Sequence, residues 1–234
     1  MKPILLFIAA LMIFGTLSAQ NVKNRGVDVG DVMTLLRVAG YDLYSFDLND
    51  FLKGDYNVEL NIKEYEKGKG EINSQDFNAG VNKILFSQFS DEEKREAKEL
   101  GLTKGMKRGV IYKIDKVNLG VVSSKADSIM MLNVKLGDIG NITQPLKLRP
   151  TSNSSGEFES YRYQIRPFVI DSFESGKFIP LVALLSWWYD ETAKVIRCCG
   201  DPMLKSDLSD EILENVPHYY IIGVTLDKIE KKEN

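Results

Sequence analysis

Residues 181–188, Leu-Val-Ala-Leu-Leu-Ser-Trp-Trp, form the stretch that decides the fold class. Nearly every position is apolar, so an extended chain would be apolar on both faces, and we predict a central strand rather than an edge strand. Residues 219–226, Tyr-Tyr-Ile-Ile-Gly-Val-Thr-Leu, predict a second buried strand in the same way. These two segments point to a fold built on a sheet.

Other segments alternate apolar and polar residues, which predicts strands buried on one face only. They are residues 56–62, 110–114, 130–136 and 161–165. Helical signals are short: Asp31 precedes an apolar 3.6-residue pattern, and Ser90 with Glu93 forms a capping box. We therefore predict an α+β, strand-rich fold, mainly an antiparallel sheet or a sandwich with a few short helices.

The first 19 residues predict a cleavable signal peptide. Lys2 is followed by an apolar run of 11 residues, Ile4 to Phe14, and then by small residues up to Ala19. The run is shorter than the roughly 20 residues of a membrane helix. We expect export to the periplasm, the cell surface or the medium, with no integral membrane span after cleavage. Residues 20–234 are then a single exported domain, with one candidate subdivision in the loop at residues 150–156.

Charge and motifs exclude several function classes. Removal of Lys2 with the signal peptide leaves 29 basic and 33 acidic residues, so no basic patch predicts nucleic-acid binding. The sequence has one histidine, His218, which excludes a site with two histidine ligands. No phosphate loop or dinucleotide fingerprint occurs, and we predict neither a cofactor nor a metal. The position of His218 at the entry to a strand favours a packed, hydrogen-bonded structural residue.

The adjacent cysteines Cys198 and Cys199 are the only two in the chain. Neighbouring residues of a strand point to opposite faces, which favours two separate thiols. A vicinal disulfide in an oxidising compartment is the alternative.

Binding candidates cluster around a predicted hairpin, whose turn is at residues 190–194. Trp187 and Tyr189 share one face of the strand and Trp188 the other, and we expect at least Trp188 to pack in the core. Arg162 and Arg166, with Gln164, form a polar stripe that is typical of a solvated sheet face and is suited to an acidic partner. The predicted binding residues are Trp187, Tyr189, Arg162 and Arg166.

We therefore expect a non-catalytic binding or structural module, with an envelope protein or a glycan as its partner. The alternative is a hydrolase that uses two carboxylates on an envelope or dietary glycan, for which Asp190, Glu191 and Asp201 are candidates. A third hypothesis, a small-molecule carrier with an apolar pocket, is suggested by the many Tyr, Phe and Met residues.

Three stretches carry a family resemblance: residues 165–168 (Ile-Arg-Pro-Phe), 188–197 (Trp-Tyr-Asp-Glu through Val-Ile-Arg) and 217–223 (Pro-His-Tyr-Tyr-Ile-Ile-Gly). They resemble a family of exported proteins from Bacteroides and relatives, known as a domain of unknown function. The Leu-Ser-Ala-Gln end of the signal peptide is similar to those of the same phylum. The resemblance implies a secreted or periplasmic protein, and it assigns no catalytic residue.

Overall fold

The computed structural model describes most of the chain beyond residue 35. Contacts divide the chain into two compact units, residues 1–35 and 36–234. The described residues are 32, 35–36, 38–48, 54–104, 106, 108–122, 128–137, 140–153, 155–156, 159–170, 173–198 and 200–230. The predicted signal peptide at residues 1–19, the helix cap Asp31 and Cys199 lie outside them.

The second unit is built mainly from strands, with short helices between them. The strands are β1 (Tyr41–Asp47), β2 (Tyr56–Glu66), β3 (Gly70–Val81), β4 (Lys83–Leu85), β5 (Val110–Tyr112), β6 (Lys116–Val122), β7 (Ile129–Leu136), β8 (Gly140–Lys147), β9 (Thr151–Ser152), β10 (Glu159–Ser160), β11 (Tyr163–Val169), β12 (Phe178–Ser186), β13 (Trp188–Asp190), β14 (Val195–Arg197), β15 (Leu204–Lys205) and β16 (His218–Lys228). In the described chain beyond residue 40, the helices are α1 (Asp91–Glu99), α2 (Glu211–Asn215) and a 3-10 turn at Phe86–Gln88.

Two main sheets contain most of these strands. The small sheet has the order β1-β6-β7-β8, and the large sheet has the order β15-β11-β12-β16-β2-β3. Neighbouring strands are antiparallel, except that β15 runs parallel to β11. The described part of the chain thus confirms the prediction of an α+β, strand-rich fold built mainly on antiparallel sheet.

The main hydrophobic core lies between the two sheets. It combines alternate residues of β6 and β7 with residues of β2, β12 and β16 from the large sheet. In β7 the even-numbered side chains from Met130 to Leu136 are buried and the odd-numbered ones are exposed, as the alternating sequence predicts. The two sheets therefore pack face to face as a sandwich.

The opposite face of the large sheet is also covered. A second cluster includes Ala183 and Leu185 of β12, Ile221 of β16, Leu213 of α2 and Val216 just after that helix. Because β12 and β16 are covered on both faces, both are apolar along most of their length. The predicted central strand is thus observed, although β12 ends at Ser186 and the two tryptophans follow it.

Candidate functional site

Trp187 links the large sheet to the β13–β14 hairpin. Its backbone N–H donates to the carbonyl of Arg162 (2.9 Å), and its own carbonyl accepts from the hydroxyl of Thr151 (2.7 Å). The hairpin follows directly, with Trp188 opposite Arg197 and Asp190 opposite Val195. The predicted hairpin is therefore present, and hydrogen bonds to Arg162 and Thr151 hold Trp187, the residue that precedes it.

The three consecutive aromatic residues have different surroundings. Trp188 packs against the second core cluster, as expected, whereas the described clusters include neither Trp187 nor Tyr189. All three side chains are half-buried. Trp187 and Tyr189 are therefore large aromatic groups that the described core does not use.

Arg162 covers one face of the Trp187 indole. Its guanidinium carbon is 5.4 Å from the ring centroid, a cation–π contact, and its Nε donates to the hydroxyl of Ser160 (3.1 Å). The indole Nε1 of Trp187 is buried and has no hydrogen-bond acceptor among the residues that the structure describes. Arg162 and Trp187, two of the four predicted binding residues, therefore form a cation–π pair. The indole N–H of this pair has no acceptor in the described chain.

Asp190 holds the turn of the hairpin. One carboxylate oxygen accepts from the backbone N–H groups of Thr192 and Ala193 (3.0 Å each), and the other accepts from Nε of Arg197. The hydrogen bond from Ala193, followed by the contact with Arg197, holds the pKa of Asp190 below its usual range. Three N–H groups hold this carboxylate, and its role here is to shape the turn.

Arg166 does not lie on a solvated stripe, and that expectation was wrong. It points to the helix-covered face of the large sheet, where its neighbour across the strands is Ala183, and it is only 2% exposed. Nη1 donates to the carbonyl of Asp201 (2.7 Å), and Nη2 donates to the carbonyl of Cys198 (2.7 Å) and to Oε1 of Gln164 (3.2 Å). Nε is buried without an acceptor in the described chain.

A glycine lets the chain pass close to this guanidinium. Gly200 has φ 128°, and a Cβ at this position would lie 2.6 Å from Nη1 of Arg166 and 2.8 Å from Cδ1 of Ile212. The side chains of Gln164, Trp188 and Ile212 surround the guanidinium and leave no space for a water molecule beside it. The close approach of Gly200 and the two carbonyls hold the guanidinium in one orientation.

His218 lies on the other face of the large sheet and is 1% exposed. Its Nε2 is 2.9 Å from Oε1 of Glu64, its Nδ1 is 2.6 Å from Oη of Tyr163, and its backbone N–H donates to Oγ of Ser186 (3.2 Å). Tyr163 Oη also accepts from the backbone N–H of Arg149, and with the ring proton on Nε2, towards Glu64, Nδ1 accepts from the Tyr163 hydroxyl. His218 is thus the packed, hydrogen-bonded residue that its strand position favours.

Burial lowers the pKa of His218, and the hydrogen bond with Glu64 opposes this effect. Burial also raises the pKa of Tyr163 above its usual range. A neutral imidazole that accepts from Tyr163 donates its remaining N–H to Glu64. Sequence reasoning missed Glu64, although its even spacing from Leu60 and Ile62 puts it on the same face of β2.

The other site predictions stay open. The described residues contain no group of three or more His, Cys, Asp or Glu side chains placed to hold a metal ion. In the same residues, no helix is long and apolar enough to cross a membrane.

The two other carboxylates considered for a hydrolase, Glu191 and Asp201, are exposed. The state of the cysteine pair stays a prediction, because Cys199 is not described.

The chain matches the model of a protein family. No curated protein and no solved structure is significantly similar to the chain. A family model described as a domain of unknown function (DUF5041) matches residues 11–228. The match includes the β13–β14 hairpin, Arg166, His218 and every strand of the two sheets, and so the chain belongs to the family of the domain of unknown function DUF5041.

Proposed function

We propose that this protein is a non-catalytic binding module of the bacterial cell envelope, exported by a cleavable signal peptide at residues 1–19. Its place is the periplasm or the cell surface. The basic head, apolar run and small residues at the N-terminus support this location. The ligand is an envelope glycan or another envelope protein.

One observation carries the binding role: Trp187 and Tyr189 are half-buried aromatic side chains outside the two described core clusters. Tryptophan and tyrosine anchor many binding surfaces because they offer a large contact area and lose little conformational entropy. The stacked Arg162 adds a positive charge beside Trp187. We call Arg162, Trp187 and Tyr189 the hairpin surface.

The hydrolase alternative gains no support at Asp190. Its carboxylate is engaged by two backbone N–H groups and by Arg197, and its pKa lies below the usual range. A glycosidase needs one carboxyl with a raised pKa to protonate the leaving group. A binding role makes no such demand, and we favour it.

The test is a glycan array probed with the purified exported chain, and with the same chain carrying Trp187→Ala and Tyr189→Ala together. We expect at least a tenfold loss of glycan binding without loss of the fold. Tyr41→Ala is the matched control, because Tyr41 is an exposed aromatic residue of β1, 41% exposed, on the small sheet.

Two outcomes contradict the proposal. Unfolding of the double variant, seen by circular dichroism, would show that the aromatic pair belongs to the core. An equal loss in Tyr41→Ala would show that the effect is not specific to the hairpin surface. If no glycan binds, crosslinking in intact cells with the same three chains tests the protein partner, and the same variant dependence is required.

The predicted export has its own test. Expression of the full chain in a bacterial host, followed by cell fractionation and intact-mass measurement, should give a periplasmic or surface protein that lacks residues 1–19. A cytoplasmic protein of full-length mass would contradict the predicted export.

A further inference from the structure

We propose that the outer face of the small sheet docks this protein on the surface of an anionic lipid membrane. The face consists of the outward side chains of β6, β7 and β8, on the side of the sheet opposite the main core. These strands contribute nothing to the hairpin surface, so the proposal goes beyond the binding role given above. We call this region the basic face, and the residues that carry the argument are Val122, Ile129, Met131, Pro145, Lys135 and Lys147.

Apolar side chains are adjacent at one end of the basic face. Val122 is opposite Met131, and Met131 is opposite Pro145 on the next strand. Ile129 is two residues before Met131 and so points to the same side of β7. Val122 and Met131 are each 38% exposed, Ile129 is 46% exposed, and Pro145 is exposed as well. Neither described core cluster includes them, and such adjacent exposed apolar groups mark a surface for association.

The charge of the same face is positive. Lys116, Lys135 and Lys147 point outwards from β6, β7 and β8, and no outward position of these three strands is acidic. Asp47 of β1 is opposite Lys116, whereas Lys135 and Lys147 have neutral residues opposite them in the paired strands. The whole chain carries a net charge of −3, so this face differs in sign from the protein as a whole. A partner that complements it is negatively charged and offers an apolar layer.

The neutral polar side chains of the face already have partners within the small sheet. The amide of Asn133 donates to the hydroxyl of Thr143 (2.9 Å), and the hydroxyl of Ser45 on β1 donates to the amide oxygen of Asn118 (2.7 Å). A glycan held by directional hydrogen bonds would compete with these contacts. Attraction of lysines to headgroups and burial of apolar side chains need no such fixed donors and acceptors.

The type of charged residue favours a lipid surface over another protein. The basic groups are all lysines, which are depleted in protein–protein interfaces, whereas arginine is enriched there. A second copy of the chain would add the same lysines and no carboxylate from these strands, so charge would oppose the pairing. An anionic bilayer presents negative headgroups above an apolar layer. Lys135 and Lys147 then contact the headgroups, while Ile129 and Met131 enter the boundary below them.

The experiment is sedimentation of the exported chain with two kinds of lipid vesicle. One kind contains phosphatidylglycerol and phosphatidylcholine, and the other contains phosphatidylcholine alone. We expect binding to the anionic vesicles that is about tenfold or more tighter than binding to the neutral ones. High salt should weaken the binding, because it screens the attraction between lysines and headgroups.

Lys135→Gln with Lys147→Gln tests the charge. The double variant should lose about tenfold or more in affinity for the anionic vesicles, because each lysine near the surface adds attraction. Lys69→Gln with Lys177→Gln is the matched control, since it removes the same charge from exposed lysines outside the small sheet, with side chains 63% and 69% exposed. The control should bind within about twofold of the natural chain, because charge acts over only a short distance in salt solution.

Met131→Ser tests the apolar contact. We expect about a threefold loss in affinity for the anionic vesicles, because less apolar area is buried in the bilayer. Ile72→Ser is the control, since Ile72 of β3 is also 38% exposed and lies on the large sheet. Circular dichroism should show the same fold for all these variants, because the substituted side chains are exposed.

The proposal is overturned if the chain binds neither kind of vesicle, if it binds both equally, or if the control variants lose as much affinity as the test variants. A dimer in sedimentation velocity that Met131→Ser dissociates would assign the face to a second copy instead. Binding of poly-L-glutamate, but not of the anionic vesicles, would assign it to an acidic protein. Either result would also overturn the proposal.

The outcome is independent of the hairpin surface, which is tested by Trp187→Ala with Tyr189→Ala on a glycan array without lipid. Failure of vesicle binding leaves that proposal standing. Loss of support for the hairpin surface with preserved vesicle binding would overturn only the hairpin surface.

Discussion

His218 and Arg166 are both almost completely buried in the large sheet, on opposite faces, yet their surroundings differ. His218 lies between the two sheets, where both ring nitrogens and its backbone N–H have partners. Arg166 lies under α2 with neutral acceptors, and one N–H has no acceptor in the described chain. The comparison teaches that burial alone does not ensure a partner for every polar atom, because pairing depends on which groups the packing brings together.

The largest loss of stability should come from a substitution that disrupts the large sheet, which contains both His218 and Arg166. Gly223 of β16 pairs with Pro180 of β12, and a Cβ there would lie 2.2 Å from the carbonyl oxygen of Ile179. Because a backbone atom cannot move aside cheaply, Gly223→Ala should reduce the free energy of unfolding by about 3 kcal/mol or more. Urea unfolding followed by circular dichroism measures it.

Gly120→Ala is the control for that prediction. Its Cβ would lie 3.2 Å from Cδ2 of Leu43, a side chain 45% exposed, which can move. We expect a change of about 1 kcal/mol or less. Equal effects of the two substitutions would contradict the proposed role of the crowded backbone at Gly223.

Of the two buried polar residues, His218 should be the one whose removal reduces the free energy of unfolding more, because both ring nitrogens have partners. His218→Ala leaves Glu64 and the hydroxyl of Tyr163 without their partner, and we expect a loss of about 2 kcal/mol in the free energy of unfolding. Ser45→Ala is the control, because it removes an exposed hydrogen bond to Asn118 (2.7 Å) and should cost about 0.5 kcal/mol or less. An unchanged stability in His218→Ala would contradict a packing role.

Arg166→Met should cost less, about 1 kcal/mol. The substitution leaves the carbonyls of Cys198 and Asp201 without a donor, but it also removes a buried charge that lacks an acidic partner. The same urea series measures it beside His218→Ala. If Arg166→Met reduces the free energy of unfolding as much as His218→Ala does, the two residues contribute equally to packing. That result would contradict the difference proposed between them.

The smallest effect concerns pH. Burial lowers the pKa of His218 in the folded chain, while the unfolded chain keeps the ordinary value of about 6.5. Between these two values the unfolded state binds more protons, so stability falls as pH falls from about 6.5 towards the lowered pKa. His218 is the only histidine, so one ring signal in proton NMR reports its titration. A midpoint at or above pH 6.5 would contradict this prediction.

Much of the fold follows from local sequence patterns. The alternation in residues 130–136 and the continuous apolar character of residues 181–186 predict a half-buried and a central strand, and the structure contains both. The capping box of Ser90 and Glu93 likewise opens α1, with hydrogen bonds of 3.3 and 2.7 Å between backbone N–H groups and side chains. These features depend on neighbours a few residues apart, and sequence reasoning can therefore find them.

The surroundings of the candidate residues were harder to predict. Alternation puts Gln164 and Arg166 on one face of β11, but it cannot tell that α2 and the chain at residues 198–201 cover that face. The partners of Arg166 are 32 and 35 residues further along the chain, and Glu64 is 154 residues from His218. No local pattern links such distant residues.

The sequence by itself determined that this chain is strand-rich, that its central strands are apolar on both faces and that its one histidine stands at the start of a strand. Only the tertiary structure decided which polar groups are buried and which of them are paired. The physical reason is that strand formation follows short-range periodicity, whereas burial and hydrogen-bond satisfaction depend on segments that meet only when the sheets and α2 pack together.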